Sequence, residues 1–491
     1  MESALNHSAR EPPPDVTPHG RIVSLLDASI FYGLIAVIAL TAIPYGTVEP
    51  WSEALFECAV FFLTLLWIVQ GFIQGSWRVG NVRLLIPIIG LALFAAMQSF
   101  AWGKTDVAGE KVWVALSADP FESWVFSLRI AALVLAAMLV IRFTSSVKRL
   151  GILVHAIIAV AIGSALFGIA RQAMQHAQEG FVLARLPLDQ GFGQFINKNH
   201  FAFLIEMALG LTIGVAFMRR RHRERVLLYL AVLLVMWAAI VLSKSRGGLL
   251  TITVQTIFAA LLFVRSRARS REPASERRWT RWTRSIAVTT VAAGALLLII
   301  VAGVVWLGGD QLASGVETAT SEMTGVDRSE MHEAARRRDI WRASWLMFKA
   351  HPIAGAGLGG FWAEVPVYHS ASGVLTPQQA HNDYLELVAS GGVLGAALFI
   401  WFAAVLIRQA RLCVKAAEGF QRAVCLGAII SVVGIAVHSI VDFGLHITIN
   451  GLVFMALLGI LSLDPMRKSS ASAGSNSRHR GRHRHRENLP A

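Results

Sequence analysis

The side chains best placed for chemistry in this sequence stand between residues 379 and 384, just before a long apolar run. His381 is the titratable group there, with Asn382 and Tyr384 beside it. A histidine at such a boundary changes charge near neutral pH while it faces both water and lipid, which suits chemistry on a substrate whose tail lies in a bilayer. His381 is therefore a candidate catalytic residue. A helix cap or another structural hydrogen bond is the ordinary alternative for an isolated histidine.

A short basic turn, Ser243-Lys-Ser-Arg-Gly-Gly248, separates two other apolar runs. Lys244 and Arg246 fall on the side of the membrane that we predict to be exported, where cations run against the positive-inside bias. Arg246 offers a planar fork that fits a diphosphate, so the turn is a candidate anion clamp. The alternative is a pair of snorkelling side chains that contact lipid phosphates.

A third polar cluster, Lys198, Asn199 and His200, stands at the entrance of another predicted helix. Backbone N–H groups are free at a helix start and the helix dipole favours anions there. These residues are therefore candidates to bind phosphate or sugar. An interface anchor fits the same residues equally well.

Three ionisable residues, His438, Asp442 and His446, stand toward the end of a late apolar run and in the turn after it. Ionisable groups at membrane depth indicate function by default. Metal binding by these residues together with His381 is an alternative. No close ligand spacing such as His-Glu-x-x-His is present, so we predict no metal site.

The elements that position these residues are predicted to be membrane helices. The sequence is 55% hydrophobic and 15% charged, with a mean hydropathy of +0.56. Its apolar runs are long enough to cross a hydrocarbon core of roughly 30 Å, and we predict an all-α polytopic membrane protein with about twelve transmembrane helices. The predicted spans are 28–46, 53–74, 82–102, 126–143, 149–170, 200–218, 226–243, 248–264, 285–307, 384–408, 421–441 and 448–464.

Basic residues set the predicted orientation of these spans. The formal net charge is +14, and the basic residues cluster in short segments between apolar runs and in the C-terminal tail. By the positive-inside rule we predict both termini in the cytoplasm, contacts with anionic membrane lipids and no nucleic-acid partner. Three larger loops, 103–125, 171–199 and 308–383, then lie on the exported side.

The large exported loop is predicted to contain an amphipathic helix across residues 335–350. Trp341, Trp345 and Phe348 share one face of this helix, which predicts that the face lies in the membrane interface. The segment from 351 to 360 ends the helix, because proline and glycine break helices.

The glycines of segment 355–360 match a dinucleotide fingerprint formally. No βαβ unit surrounds them, so we predict no nucleotide cofactor. A glycine-rich turn that lets backbone approach a substrate is the favoured interpretation.

The patterning predicts three regions: a flexible cytoplasmic N-terminus (1–27), a transmembrane domain (28–465) and a basic disordered cytoplasmic tail (466–491). The N-terminal region has no hydrophobic segment of the kind found in a cleaved signal peptide.

The three cysteines, Cys58, Cys413 and Cys425, fall in or beside predicted spans. None lies in a predicted exported loop. We therefore expect neither a disulfide nor a thiolate metal site.

Several blocks taken together resemble the O-antigen ligase and O-antigen polymerase superfamily of bacterial envelope enzymes. The signature His-Asn, nine residues, Gly, two residues, Gly is matched by His381, Asn382, Gly392 and Gly395. The other resembling blocks are Phe195-Ile-Asn-Lys-Asn-His-Phe-Ala202, Ser243 to Gly248, Arg337-Arg-Asp-Ile-Trp341, His351 to Phe361, and His438 to Phe443.

The resemblance implies an all-helical membrane glycosyltransferase in the bacterial cytoplasmic (inner) membrane. Such an enzyme moves a glycan from a polyprenyl diphosphate carrier to an acceptor sugar hydroxyl on the exported face, without a nucleotide or metal cofactor. By the match His381 takes the essential histidine position and would accept the hydroxyl proton. Arg246 and Arg337 take the arginine positions and would stabilise the departing diphosphate.

The remaining polar residues of these blocks are then expected to bind substrate: Asn382, Tyr384, Lys198, Asn199, His200, Lys244 and Arg338. Arg338 stands where the superfamily usually has an apolar residue. Which of Arg336, Arg337 and Arg338 faces the substrate therefore stays open. Arg337 is favoured because it lies one helical turn before Trp341.

Three functions compete on these residues. A ligase would attach the finished glycan to lipid A-core or a related acceptor, and this is the favoured reading. A polymerase, which shares the motifs, would join repeat units on the carrier. A transporter of lipid-linked sugars would need charged residues along a path through the spans, whereas the polar groups here gather at one membrane face.

Overall fold

The computed structural model describes residues 18–77, 79–174, 191–218, 223–269, 328–369 and 376–466. Helices account for most of this part of the chain. The helices are α1 Pro18–Thr41, α2 Pro50–Gln74, α3 Ile86–Ser99, α4 Pro120–Phe143, α5 Val147–Ala173, α6 Lys198–Met218, α7 Arg223–Leu242, α8 Arg246–Arg269, α9 Arg328–Ala350, α10 Phe361–Glu364, α11 Asp383–Ala416, α12 Gly419–His438 and α13 Thr448–Leu461, with short 3-10 helices at Val365–Val367 and Gly444–His446.

The predicted class, an all-α polytopic membrane protein, is confirmed by these helices. Nine of them, within the described ranges, are long and apolar enough to cross a bilayer, and α3 and α13 are shorter apolar helices. Together these eleven helices coincide with eleven of the predicted spans. The remaining predicted span, 285–307, lies outside the described residues. Helix α1 begins at Pro18, earlier than the predicted boundary at residue 28.

A β-hairpin, which the sequence did not predict, occupies the first predicted exported loop. Strands β1 (Ala101–Val107) and β2 (Glu110–Ala115) pair antiparallel, with Thr105 opposite Val112. Tryptophan, valine and threonine favour strands, and Gly109 adopts φ +90° in the connecting turn. The ribbon lies between α3 and α4.

Helix α6 is the central helix of the bundle and is almost completely buried. It runs antiparallel to α12, because Gly214 lies against Gly427 and Gly210, one turn earlier, lies against Ser431. A Cβ atom at Gly210 would come within 2.5 Å of the Ser431 backbone nitrogen, so a small residue is needed for this approach. The antiparallel arrangement brings the beginning of α6 to the end of α12.

Helix α11 is broken at Gly392, where φ is +59° and ψ is −156°. The backbone amide of Val393, freed by the break, donates to the carbonyl of Pro352 at 2.8 Å. A Cβ atom at Gly392 would lie 2.4 Å from the carbonyl oxygen of Ile353. The segment after α9 therefore supplies acceptors for the backbone N–H groups that the break leaves without helical partners. A helix interrupted within a membrane requires such partners.

The glycine-rich segment 354–360 lies close to backbone of other elements of the fold. A Cβ atom at Gly355 would lie 2.2 Å from the carbonyl carbon of Ser390. Gln98 of α3 binds the same place, because its Nε2 donates to the carbonyls of Ala354 at 2.6 Å and Ser390 at 3.2 Å. The glycines serve close packing between α3, α4 and the break in α11.

The helix predicted across 335–350 is present as α9, but its buried face differs from the tryptophan face. Ile340, Ala343 and Met347 are buried against the protein, whereas Trp345 is 47% exposed. The buried residues follow the helical spacing of three and four, so α9 docks on the bundle through this stripe.

Cys413 and Cys425 form a disulfide bond, so the expectation of no disulfide is wrong. The short connection between α11 and α12 folds the helices antiparallel and brings the two Cα atoms to 6.3 Å. Membership of predicted spans says nothing about how two helix ends face each other, which is why the sequence did not reveal the pair.

Candidate active site

His381 occupies a backbone turn whose neighbours are held on both sides. Its φ is +50°, in the left-handed region that residues other than glycine seldom adopt. The Ala380 N–H donates to Oε2 of Glu386 at 2.8 Å, and the Asp383 N–H donates to the carbonyl of Ser439 at 3.0 Å. Backbone held in this way against its own preference is found at functional sites.

A buried carboxylate faces the His381 ring. Nδ1 of His381 lies 3.5 Å from Oδ1 of Asp442, and the His381 side chain is 32% exposed while that of Asp442 is 1% exposed. The backbone amide of Phe443 donates to Oδ1 of Asp442 at 2.9 Å. A carboxylate beside Nδ1 orients the imidazole and keeps a proton on that nitrogen. Nε2 is then the nitrogen that can accept a proton from a substrate.

Asp442 is a fixed negative charge. Burial on its own raises the pKa of this carboxyl, but the interactions with the His381 ring, the His200 ring and the Phe443 amide outweigh burial. Together they hold the pKa of Asp442 well below its usual range. The carboxylate is therefore ionised at any pH at which the protein is expected to work.

Asn199 connects Asp442 to the basic turn at the start of α8. Its Nδ2 donates to Oδ2 of Asp442, and its Oδ1 accepts from Oγ of Ser245 at 2.7 Å. Ser245 also caps α8, since its Oγ accepts the Gly248 N–H at 3.1 Å. Residues from three separate sequence blocks are thus joined by direct contacts.

Exposed cations flank this chain of contacts. Lys244 and Arg246 stand on either side of Ser245, and Lys198 stands beside Asn199; all three are exposed. Lys244 adopts φ +55°, so the turn that presents it departs from ordinary backbone geometry. The structure therefore brings the predicted anion clamp and the predicted base to the same end of the bundle.

Phe443 is surrounded by three histidine rings. The ring centroids of His200 and His381 each lie 4.8 Å from that of Phe443, edge to face, and His446 lies at 6.1 Å. His200 is only 8% exposed and its carbonyl accepts from Nδ2 of Asn450 at 2.9 Å. The His200 ring therefore packs against Phe443 and is largely shielded from solvent.

Helix α9 contacts the His381 turn through one tryptophan. Nε1 of Trp341 donates to the carbonyl of Ala380 at 3.0 Å. Arg337 lies one helical turn earlier and is half-buried, whereas Arg338 is exposed. The contact places the Arg337 turn of α9 close to the His381 turn.

Asn382 and Tyr384 are engaged in the protein itself. Oδ1 of Asn382 accepts from the amides of Tyr384 at 3.1 Å and Leu385 at 2.9 Å, so Asn382 caps α11. The Tyr384 hydroxyl donates to the carbonyl of Ala436 at 2.6 Å. Both residues hold the helix start in place.

Glu206 and His438 form a buried contact beneath the site, and the sequence does not predict this pair. Oε1 of Glu206 is 2.8 Å from Nδ1 of His438, and neither side chain is exposed. A Cβ atom at Gly247 would lie 2.3 Å from Nε2 of His438. A lone glutamate inside an apolar run was the available signal, because a charge at membrane depth needs a partner.

A cavity of about 350 Å³ lies behind the His381 turn, between α3, α4, α11, α12 and α13. Most of its lining is apolar, and Asp383, Glu386 and His446 are among the few polar residues that line it. Within the described residues, no group of three or more His, Cys, Asp or Glu side chains is arranged to hold a metal ion.

Comparison with known families supports one general class of function. Residues 230–400 match the O-antigen ligase family. The resemblance seen in the sequence is thereby confirmed, and the match supports a membrane glycosyltransferase of the general O-antigen ligase or polymerase type. The O-antigen ligase match includes Arg246, Arg337 and His381, while the Asn199 and Asp442 blocks lie outside it. No curated protein matches the chain significantly.

Proposed function

We propose that this protein transfers a glycan from a polyprenyl diphosphate carrier to an acceptor sugar hydroxyl, with His381 as the base. The observation that supports this best is the line of contacts from His381 through Asp442 and Asn199 to the basic turn of α8. It supports the proposal because His381 and the exposed cations Lys244 and Arg246 belong to connected elements at one end of the bundle. An acceptor hydroxyl and an anionic leaving group require those two features together.

The proposed reaction is a single displacement. Nε2 of His381 takes the proton of the acceptor hydroxyl, and the oxygen of that hydroxyl bonds to the anomeric carbon of the donor sugar. The bond between that carbon and the diphosphate oxygen breaks, and its electron pair leaves with the diphosphate. Arg246 and Arg337, with Lys244 nearby, stabilise the charge that develops on the leaving group. One displacement inverts the configuration at the anomeric carbon.

The proposal includes the compartment and the cofactor requirement. The charge distribution favours the exported face of the bacterial inner membrane, with both termini in the cytoplasm. The leaving diphosphate is stabilised by protein cations, so we expect transfer to continue in the presence of EDTA. Loss of activity on chelation, restored by a divalent cation, would contradict metal independence.

Purified protein with a carrier-linked glycan and an acceptor tests the central step. We expect His381→Ala to lower the turnover rate about 10²- to 10⁴-fold, the usual contribution of a positioned acid or base. His155→Gln is the matched control, because His155 contacts Tyr229 in another part of the bundle. Full transfer activity in His381→Ala would remove His381 from the mechanism.

The favoured acceptor is lipid A-core or a related glycolipid, which makes the protein a ligase. A polymerase of repeat units is the second candidate, because the matched family motifs are shared. A deletion strain separates them. Loss of a ligase leaves intact polymer on the carrier but unattached, whereas loss of a polymerase leaves single repeat units, and that second pattern would exclude the ligase.

A further inference from the structure

Four polar residues recur at every fourth position across the end of α12 and the start of α13. Each contacts a different part of the site. His438 pairs with Glu206, Asp442 faces His381, His446 faces Glu386 and Asp383, and Asn450 donates to the carbonyl of His200. Two of them contact the His381 turn or its direct support: Asp442 lies against the His381 ring, and His446 lies against Asp383 and Glu386.

His446 is linked to the His381 turn through Glu386, which binds Ala380, the residue before His381. Nε2 of His446 lies 3.4 Å from Oε1 of Glu386 and 3.7 Å from Oδ1 of Asp383. The other carboxylate oxygen of Glu386 accepts the N–H of Ala380 at 2.8 Å. Glu386 is almost fully buried, so its carboxylate has little access to water in place of these partners.

The state of the imidazole fits this contact. Burial, with the positive charge of Arg129 nearby, lowers the pKa of His446 to about 4. A neutral imidazole can donate a hydrogen bond to a carboxyl group or accept one from it. In either case one oxygen of Glu386 lies against His446 and the other accepts the Ala380 N–H.

We propose that Glu386 and His446 are positioning residues that hold the His381 turn so that Nδ1 faces Asp442. His381 adopts an unfavourable left-handed conformation, which persists only if its neighbours are fixed. Glu386 holds Ala380, the residue before His381, and His446 holds Glu386. Asp442 and His446 belong to one short segment. This segment therefore contacts both the His381 ring and Glu386, which binds Ala380. This inference rests on the proposed role of His381 as the base.

Glu386→Ala, Glu386→Gln and His446→Ala test the inference in the transfer assay with purified full-length protein. Glu386→Ala removes the acceptor of the Ala380 N–H, so we expect turnover to fall about 10- to 100-fold, the usual effect of a residue that supports a functional ligand. The Michaelis constant for the donor should change little. Glu386→Gln keeps an amide oxygen for the Ala380 N–H and should restore most of the turnover. His446→Ala should lower turnover in the same way but less.

The matched control is a third histidine–glutamate contact, which joins the residue after α9 to α10. Nε2 of His351 is 3.1 Å from Oε1 of Glu364, and neither residue is hydrogen-bonded or ion-paired to Ala380, His381 or Asn382. Glu364→Ala and His351→Ala should keep wild-type turnover. Melting temperatures of all variants show whether each one is folded.

The outcomes separate this inference from the proposed function. Wild-type turnover in Glu386→Ala and His446→Ala, with His381→Ala inactive, would overturn the positioning role and leave the base assignment standing. Glu386→Gln as inactive as Glu386→Ala, although folded, would also overturn it, because charge and not the Ala380 hydrogen bond would then matter. An active His381→Ala would remove the proposed function itself.

Discussion

We expect Asp442 to determine which nitrogen of His381 is available to a substrate. Its carboxylate lies beside Nδ1, is almost fully buried and is held by Asn199 and the Phe443 amide. A neutral imidazole with its proton on Nδ1 presents the lone pair of Nε2 outward. The distance of 3.5 Å is long for a hydrogen bond, and contacts of this kind shorten when substrate binds.

Asp442→Asn tests this orienting role. The amide keeps the shape of the carboxylate but can donate to Nδ1, which favours the wrong tautomer of His381. We expect turnover to fall about 10²- to 10⁴-fold, with the larger value matching the known cost of such a change in a catalytic triad. Asp106→Asn, on the β-hairpin, is the control of equal chemistry. Unchanged turnover in Asp442→Asn would show that His381 is oriented by another group.

The arginines are expected to differ in their effects. Arg246→Ala should lower turnover about 10²- to 10³-fold, as loss of one donor to a developing anion does. Arg246→Lys should recover part of this, because lysine keeps the charge but not the planar fork. Arg408→Ala, an exposed arginine on α11 far along the chain from His381, is the control. An Arg246→Ala protein with normal turnover would contradict the anion clamp.

Arg337 and Arg338 can be distinguished in the same assay. Arg337 is half-buried on the turn before Trp341, whose indole binds the residue next to His381. We expect Arg337→Ala to cost at least tenfold more turnover than Arg338→Ala, within the 10²- to 10³-fold range of a lost anion donor. The reverse order would assign the substrate-facing position to Arg338.

At this scale, the sequence indicated the types of residue but not their partners. His381, Arg246 and Asn199 were found because polar side chains at helix ends stand out against apolar runs. The direct contact of Asp442 with His381 could not be predicted from the sequence, because it joins two helix ends that are far apart in the chain. Asn382 and Tyr384 looked available for substrate, whereas their polar atoms bind backbone of α11 and α12.

At the scale of elements, the break in α11 fixes the segment that follows α9. Gly392 takes a conformation that only glycine adopts readily, and the loop around Pro352 and Ile353 binds the freed backbone. The half-helix before the break begins at the His381 turn. The hydrogen bonds at the break therefore also hold the half-helix that follows the His381 turn.

Gly392→Ala is expected to disturb this support. The added Cβ atom would lie 2.4 Å from the Ile353 carbonyl oxygen and would occupy a left-handed backbone. We expect a loss of roughly 1–3 kcal/mol of stability, the cost of backbone in a sparsely populated region, together with reduced transfer. The measurements are the melting temperature in detergent and the turnover rate.

Gly163→Ala is the control for that substitution. Gly163 lies in α5 and a Cβ atom there meets nothing within 4 Å, so alanine should be neutral or slightly stabilising. Equal melting temperatures for the two variants would show that the break in α11 tolerates a side chain.

The sequence predicted the elements more reliably than their contacts. Helix existence follows from long apolar runs, because a bilayer-spanning chain must satisfy its backbone internally. The buried face of α9 and the contacts of the glycine-rich segment were not predicted, because both depend on which neighbour packs there. The β-hairpin was missed because a short ribbon of Trp, Val and Thr has too few residues for a periodic signal.

At the scale of the whole molecule, the site residues gather at one end of the helix bundle. Helices α6, α8 and α11 begin there, and α12 ends there, as the contacts between Asn199, Ser245, His381 and Asp442 show. Antiparallel packing of neighbouring helices brings about this gathering. The distribution of basic residues predicts that this end faces the exported side.

Cysteine labelling tests this orientation directly. Glu110, on the exposed β-hairpin, is predicted to lie on the exported side, and Lys148, exposed at the start of α5, on the cytoplasmic side. In a Cys58→Ser background, which removes the free cysteine, a membrane-impermeant maleimide added to intact spheroplasts should label Glu110→Cys and not Lys148→Cys. After lysis both should react, which controls for accessibility. Labelling of Lys148→Cys alone in intact spheroplasts would invert the topology, place His381 in the cytoplasm and contradict transfer on the exported face.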